Sequence, residues 1–247
     1  MLRNVSGWSR WLLREPDPGS RALLFVLPHP GCGAETYRRW PRNIGRWEIC
    51  PVRLPGREVF GRRPRASSCR ELAAELACGL EAYRRRPLGF FGHRSGALLG
   101  YEAAARLAET GGREPLQVFV SAQPAPGARP PDHLRCATDA ALAEVMCRVI
   151  LEMGGNPLPS LVETQVRVFR DDLASAAAYR PAGGVPGRVR VTAVGWTGDD
   201  EVPPVSMDGW REFGRVAAHA LPGDQFRFLS APAALRRVLD PEHHRDE

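Results

Sequence analysis

The sequence predicts an α/β fold with a mostly parallel central sheet, flanking helices and a helical lid insertion. Three observations carry that prediction. Short apolar runs bounded by turn residues recur along the chain, amphipathic stretches separate them, and one run passes through a glycine-flanked turn straight into a helical pattern. At 247 residues and 43% hydrophobic, the chain is long enough to bury the core of one large domain, expected over 1–247.

The runs ALLFVLP at 22–28 and ICPVRL at 49–54 supply the first expected strands. Over 69–86, Leu72, Leu76, Leu80 and Tyr83 recur on one helical face, which predicts a helix. LGFFG at 88–92 is the next strand, and 95–109 the helix that follows it. LQVFVSA at 116–122 and VRVTAVG at 189–195 continue the alternation, and a further strand carries His219. Between them, about 129–185 breaks the pattern. A proline-rich approach, PAPGARPPDHL, leads to two helical stretches, TDAALAEVMCRVILEM and SLVETQVRVFRDDLASAAAYR, separated by GGNPLP. Two helices inserted late in an α/β chain suggest a lid over the C-terminal edge of the sheet, where open α/β folds put their ligands. The tail PEHHRDE is expected to be a frayed end.

Composition excludes several classes. No stretch approaches the roughly 18–20 apolar residues of a membrane span, and the start, MLRNVSGWSRWLLREPDP, lacks a secretory apolar region, so a cytoplasmic protein is expected. The cysteines at 32, 50, 69, 78, 136 and 147 show neither C-x-x-C nor His-linked spacing, which argues for free thiols rather than a metal knuckle or a disulfide framework. All 34 basic residues are arginine, a bias we attribute first to GC-rich codons, so the net charge of +6 is a weak clue. The runs Arg62-Arg63 and Arg84-Arg85-Arg86 are solvated charge or contacts to an acidic partner. No aromatic interleaving points to nucleic acid.

The chemistry centres on LGFFGHRSGALLGYEAAARL, residues 88–107, which has the form of a nucleophile elbow, a strained strand-to-helix turn with glycine two positions either side of its apex. The residue between Gly92 and Gly96 is Arg94. Around the neighbouring Ser95 the corresponding positions hold His93 and Ala97, so the register puts Arg94 at the apex.

Five segments in order make the chain similar to the type II thioesterases, stand-alone α/β-hydrolase enzymes that serve polyketide synthases and nonribosomal peptide synthetases. FVLPHPGCGAETYRRWP at 25–41 resembles the family's F-P-H-A-G-G loop, VRLPGRE at 52–58 its L-P-G-R-E segment and FFGHRSGALLGYE at 90–102 its F-G-H-S-M-G-A elbow. VTAVGWTGDDEVPPVSMDGW at 191–210 resembles the strand and loop of the triad aspartate, and LPGDQFRFL at 221–229 the loop of the triad histidine.

The resemblance implies that Arg94 stands at the serine position and Gln225 at the histidine position. Asp199 best matches the aspartate, with Asp200 as the alternative. Arginine presents only donors and stays protonated, so it is neither nucleophile nor base, and a glutamine amide shuttles no proton at neutral pH. Ordinary serine hydrolysis is therefore not expected. Arg94 and Asp199 either form a salt bridge that plugs the old site or act together, Arg94 stabilising developing negative charge and Asp199 moving a proton, in a cyclisation, isomerisation or elimination. Ser95 supplies a backbone N–H to an oxyanion pocket, or acts as a nucleophile with His93 as base. Cys32 is a reactive thiol or a buried one. His29 matches the family's structural loop histidine, Trp196 narrows the pocket or packs, and His219 lies too early to replace the missing base. The implied partner is an acyl or peptidyl carrier protein bearing a phosphopantetheine-linked chain, met by Arg170 or the arginines near the elbow, or else a released small-molecule polyketide. No cofactor or metal is implied.

Overall fold

A computed structural model describes residues 10–57, 68–109, 116–128, 137–181 and 189–240. Arg62, Arg63, Cys136, the first residues of the insertion and the tail lie outside the described residues. Among the described residues, seven strands form one sheet: β1 (Ala22–Leu27), β2 (Asn43–Ile44), β3 (Trp47–Pro51), β4 (Leu88–His93), β5 (Leu116–Ser121), β6 (Val189–Trp196) and β7 (Val216–Leu221), in spatial order β2-β3-β1-β4-β5-β6-β7. Every pairing is parallel except β2 with β3. This is the expected α/β-hydrolase architecture. The two-residue β2 has no periodicity to betray it, and β3 starts two residues earlier than its apolar run because Trp47 and Glu48 are both buried there.

All six residues of β1 are buried because helices cover both faces of the sheet. Leu23, Phe25 and Leu27 pack with α1 (Cys69–Leu80) and α2 (Ser95–Glu109), while Ala22, Leu24 and Val26 face the opposite side. Helix α1 starts at a Ser-x-x-Glu capping sequence in which Ser68 accepts from the Glu71 amide at 3.2 Å. It ends at Leu80 and tightens into a 3₁₀ turn over Glu81–Tyr83, so the expected helix over 69–86 is shorter; Leu76, Leu80 and Tyr83 are buried and Leu72 only partly so.

Two further helices follow, α3 (Asp139–Glu152) and α4 (Pro159–Ala178), close to the two stretches read from the sequence. Thr138 caps α3 by accepting from the Ala141 amide at 3.2 Å, and Pro159 opens α4 where a missing N–H costs nothing. Helix α5 (Ala233–Leu239) closes the described chain. Among the described residues no helix is long and apolar enough to cross a membrane.

The chain moves from β1 to β3 on one side and then back past β1 to β4 on the other. The loops after β1 and β4 therefore diverge at the carboxyl edge and open a crevice there.

Candidate active site

The turn after β4 is an elbow with Arg94 at its apex. Arg94 has φ 55, in the left-handed region, and Ser95 is already the first residue of α2. A β-carbon on Gly92 would come within 2.3 Å of the Gly96 and Ala97 backbone, and one on Gly96 within 2.7 Å of the Pro28 carbonyl. Both glycines are therefore required by close approach, and they bracket Arg94 rather than Ser95. The Arg94 amide donates to the Ser121 carbonyl at 2.9 Å, and the Ala97 amide donates to the Arg94 carbonyl at 2.8 Å, which pins the strained turn between β5 and α2.

The side chain of Arg94 is nearly out of solvent contact, 9% exposed. Its Nη2 faces three acceptors: Gln225 Oε1 at 2.7 Å, Asp199 Oδ1 at 3.0 Å and Glu201 Oε2 at 3.1 Å. Nη1 donates to the Ala122 carbonyl at 3.3 Å. Asp199 is buried, and its Oδ1 also accepts from the amides of Glu201 and Val202, each at 3.1 Å. Its Oδ2 is buried with no hydrogen-bond partner. One guanidinium thus holds two carboxylates and the Gln225 amide. Asp200 is exposed and takes no part in this cluster.

Above the cluster lies a cavity of about 480 Å³. Arg94, Gln225 and Glu201 form its polar floor, while Leu98, Phe169 and Leu173 contribute apolar wall. Helices α3 and α4 wall it off from one side through Val145 and Phe169. The α4 side is tied down by Asp172, which pairs with Arg57 at 2.5 Å and accepts from the Gly31 amide at 2.9 Å. Arg57 also donates to the Cys32 carbonyl. The arginine of the L-P-G-R-E segment therefore clamps the loop after β1 to α4, a role its spacing does not announce.

The remaining expected site residues divide by burial. His29 lines the cavity, and its Nδ1 donates to the Pro30 carbonyl at 2.8 Å. Burial, offset in part by that bond and aided by Arg94 and Arg57, lowers its pKa to about 3, so it is neutral. His93 is fully buried, stacked on Phe228 with ring centroids 3.9 Å apart, and its Nδ1 lies 2.9 Å from Ser121 Oγ. Burial, then Arg94 and His29, pushes its pKa well down. It is not among the residues lining the cavity, and Ser95 gains no base from it. Cys32 is buried within the loop after β1, where desolvation outweighs Arg57 and raises its thiol to about 12. Trp196 is fully buried and donates to Ser121 Oγ at 3.0 Å, a packing position rather than a cavity wall. His219 is exposed on the edge strand β7. Arg170 lines the cavity mouth but is held by Asp139 at 2.5 Å. Among the described residues no group of three or more His, Cys, Asp or Glu is arranged to hold a metal ion.

Among the cavity residues not singled out from the sequence, two bear directly on the chemistry. Glu201, two positions after Asp199, is the carboxylate that faces the cavity, its side chain 28% exposed where Asp199 is shut away. Pro30 lines the cavity beside Arg94 and Ser95 and has no N–H to offer. Next to it the Gly31 amide is spent on Asp172 and the Cys32 amide on the His29 carbonyl at 2.9 Å. Residues 30–32 thus present no free amide to a substrate oxygen, although the oxyanion hole of this fold draws one N–H from that loop.

Residues 22–241 match the family described as the thioesterase domain. The chain is 28% identical to linear gramicidin dehydrogenase LgrE of Brevibacillus parabrevis, with 94% of this chain and 92% of that protein covered. Among solved structures it is similar to the type II thioesterase BorB from the borrelidin biosynthetic cluster, at 26% identity and a TM-score of 0.78, covering 94% of this chain and 96% of that one. RedJ, the thioesterase from the prodiginine biosynthetic pathway in Streptomyces coelicolor, aligns at 28% identity and a TM-score of 0.75, covering 96% and 94%.

Proposed function

Because the chain belongs to the thioesterase domain family, we propose that it serves a polyketide or nonribosomal-peptide pathway by holding an acyl chain without hydrolysing it through a serine. The pathway assignment draws on relatives named for gramicidin, borrelidin and prodiginine biosynthesis. The bound chain is carried on the phosphopantetheine arm of an acyl or peptidyl carrier protein, or is a released polyketide, and the work is done in the cytoplasm. Helices α3 and α4 act as the lid of the acyl chamber.

One observation carries the loss of hydrolysis: Arg94 and Gln225, at the positions of the family's serine and histidine, donate and accept one hydrogen bond of 2.7 Å with each other. Where a serine would hand its proton to an imidazole, a guanidinium donor meets an amide acceptor, and neither group transfers a proton at neutral pH. The neutral, buried His93, the protonated Cys32 and the absence of a free amide at 30–32 support the same reading.

The test is a carrier protein loaded with a hexanoyl chain, followed for binding and for thiol release. Binding without release above the buffer rate is the expected result. Release that disappears in Ser95→Ala or Cys32→Ala would establish a residual thioesterase instead.

A second reading, catalysis without hydrolysis, is favoured by Glu201, which faces the cavity 3.1 Å from Arg94 Nη2. In it Arg94 stabilises an enolate or carbonyl oxygen while a carboxylate moves the proton, giving cyclisation, isomerisation or elimination. The cavity-facing Glu201 suits the proton transfer better than the enclosed Asp199. If so, Glu201→Gln abolishes product formation in a reconstituted pathway while the protein stays folded.

A further inference from the structure

We infer that the chain accepted by this cavity carries a protonated amine, held at the floor by Glu201. The inference rests on the acyl-binding reading above and names its substrate class. At the floor one guanidinium faces two carboxylates, so the cluster is one positive charge short. Among the described lining residues the one other arginine is Arg170. It is already held by Asp139 at 2.5 Å.

The hydrogen-bonding inventory agrees with the charge. Nη2 of Arg94 has two hydrogens and three acceptors, so its donors there are oversubscribed while acceptors remain. Glu201 offers its carboxylate to the cavity with a single bond to Arg94. A ligand that brings donors and a positive charge satisfies the cavity-facing carboxylate of Glu201, whereas one ending in a carboxylate meets its like charge. The apolar wall from Leu98, Phe169 and Leu173 suits the methylene chain between the amine and the thioester.

The experiment uses the whole protein and three pantetheine thioesters of equal chain length, hexanoyl, 6-aminohexanoyl and adipoyl, titrated by calorimetry at low salt. The amino compound should bind about ten-fold more tightly than the hexanoyl one, as one charge-assisted hydrogen bond allows, and the adipoyl compound most weakly. In Glu201→Gln the ratio of amino to hexanoyl affinity should fall to near one. Equal affinities in the unaltered protein, tightest binding of adipoyl, or an amine preference that survives Glu201→Gln would each overturn the inference while leaving acyl binding intact. Failure of all three thioesters to bind would overturn the acyl-binding reading and this inference with it. The ranking in the unaltered protein decides the matter even if the variant does not fold.

Discussion

Arg94 and Gln225 are 131 residues apart in sequence and joined by a 2.7 Å hydrogen bond at the apex of the elbow. The apex of the elbow after β4 and the loop after β7 are thus tied to each other through these two side chains. The pair also gathers Asp199 and Glu201 into a partly buried ionic cluster.

That cluster should be felt in stability. Arg94→Ala strips the counter-charge from the buried Asp199 and is expected to cost about 3–5 kcal/mol. Asp199→Asn alone leaves Arg94 with Glu201 and should cost less. The double variant should fall short of the sum of the two losses by more than about 1 kcal/mol, because the second change removes a charge the first left stranded. Urea denaturation of the four proteins measures this, and strict additivity would refute the coupling.

Building a serine–histidine–aspartate relay at the elbow should not by itself make an efficient hydrolase. Arg94→Ser with Gln225→His gives Asp199 an imidazole to orient, yet residues 30–32 still present no free amide. Adding Pro30→Ala returns an N–H to the loop and should raise hydrolysis of an acyl thioester by about 10²–10³-fold over the double variant. Thiol release under single-turnover conditions is the readout, and full activity in the double variant would remove Pro30 from the explanation.

Native thiol reactivity should follow burial. Cys32, Cys50 and Cys69 are buried with thiols pushed up to about 12, mainly by desolvation, whereas Cys78 is exposed. Iodoacetamide at pH 8 should label Cys78 and spare Cys32, with peptide mapping by mass spectrometry as the check. Fast alkylation of Cys32 in the folded protein would reopen its case as a nucleophile.

Stability should decline on acidification below neutral pH. His29 titrates near 3 in the folded protein and near 6.5 when unfolded, and His93 is shifted the same way. Between those values the unfolded chain takes up protons that the native state refuses. The contribution of each is complete above about 6.5, falls by about 1.4 kcal/mol per pH unit as pH drops, and levels off for His29 below about 3. Denaturant titrations at successive pH values should show this slope, and His29→Phe should reduce it.

Much of this protein was legible in its order of residues. Alternating apolar runs announce a parallel sheet because each strand is buried on both faces, and β1, β4, β5 and β6 sit where those runs fall. Gly92 and Gly96 mark the elbow because their missing β-carbons are a local requirement, so the apex at Arg94 needs no distant information. The short β2 and the early end of α1 carry no comparable pattern, since tertiary contact rather than period sets them. Of the reaction chemistry only an exclusion is legible, because residue type alone tells what arginine and glutamine cannot do. Which carboxylate meets the cavity depends on how the loop after β6 turns Asp199 inward onto its own amides and leaves Glu201 facing out. Likewise the fate of the amides at 30–32 depends on Asp172, brought from α4 across 141 residues to the loop after β1. Local period and steric need are written along the chain, whereas charge balance and hydrogen-bond supply exist only once distant segments meet.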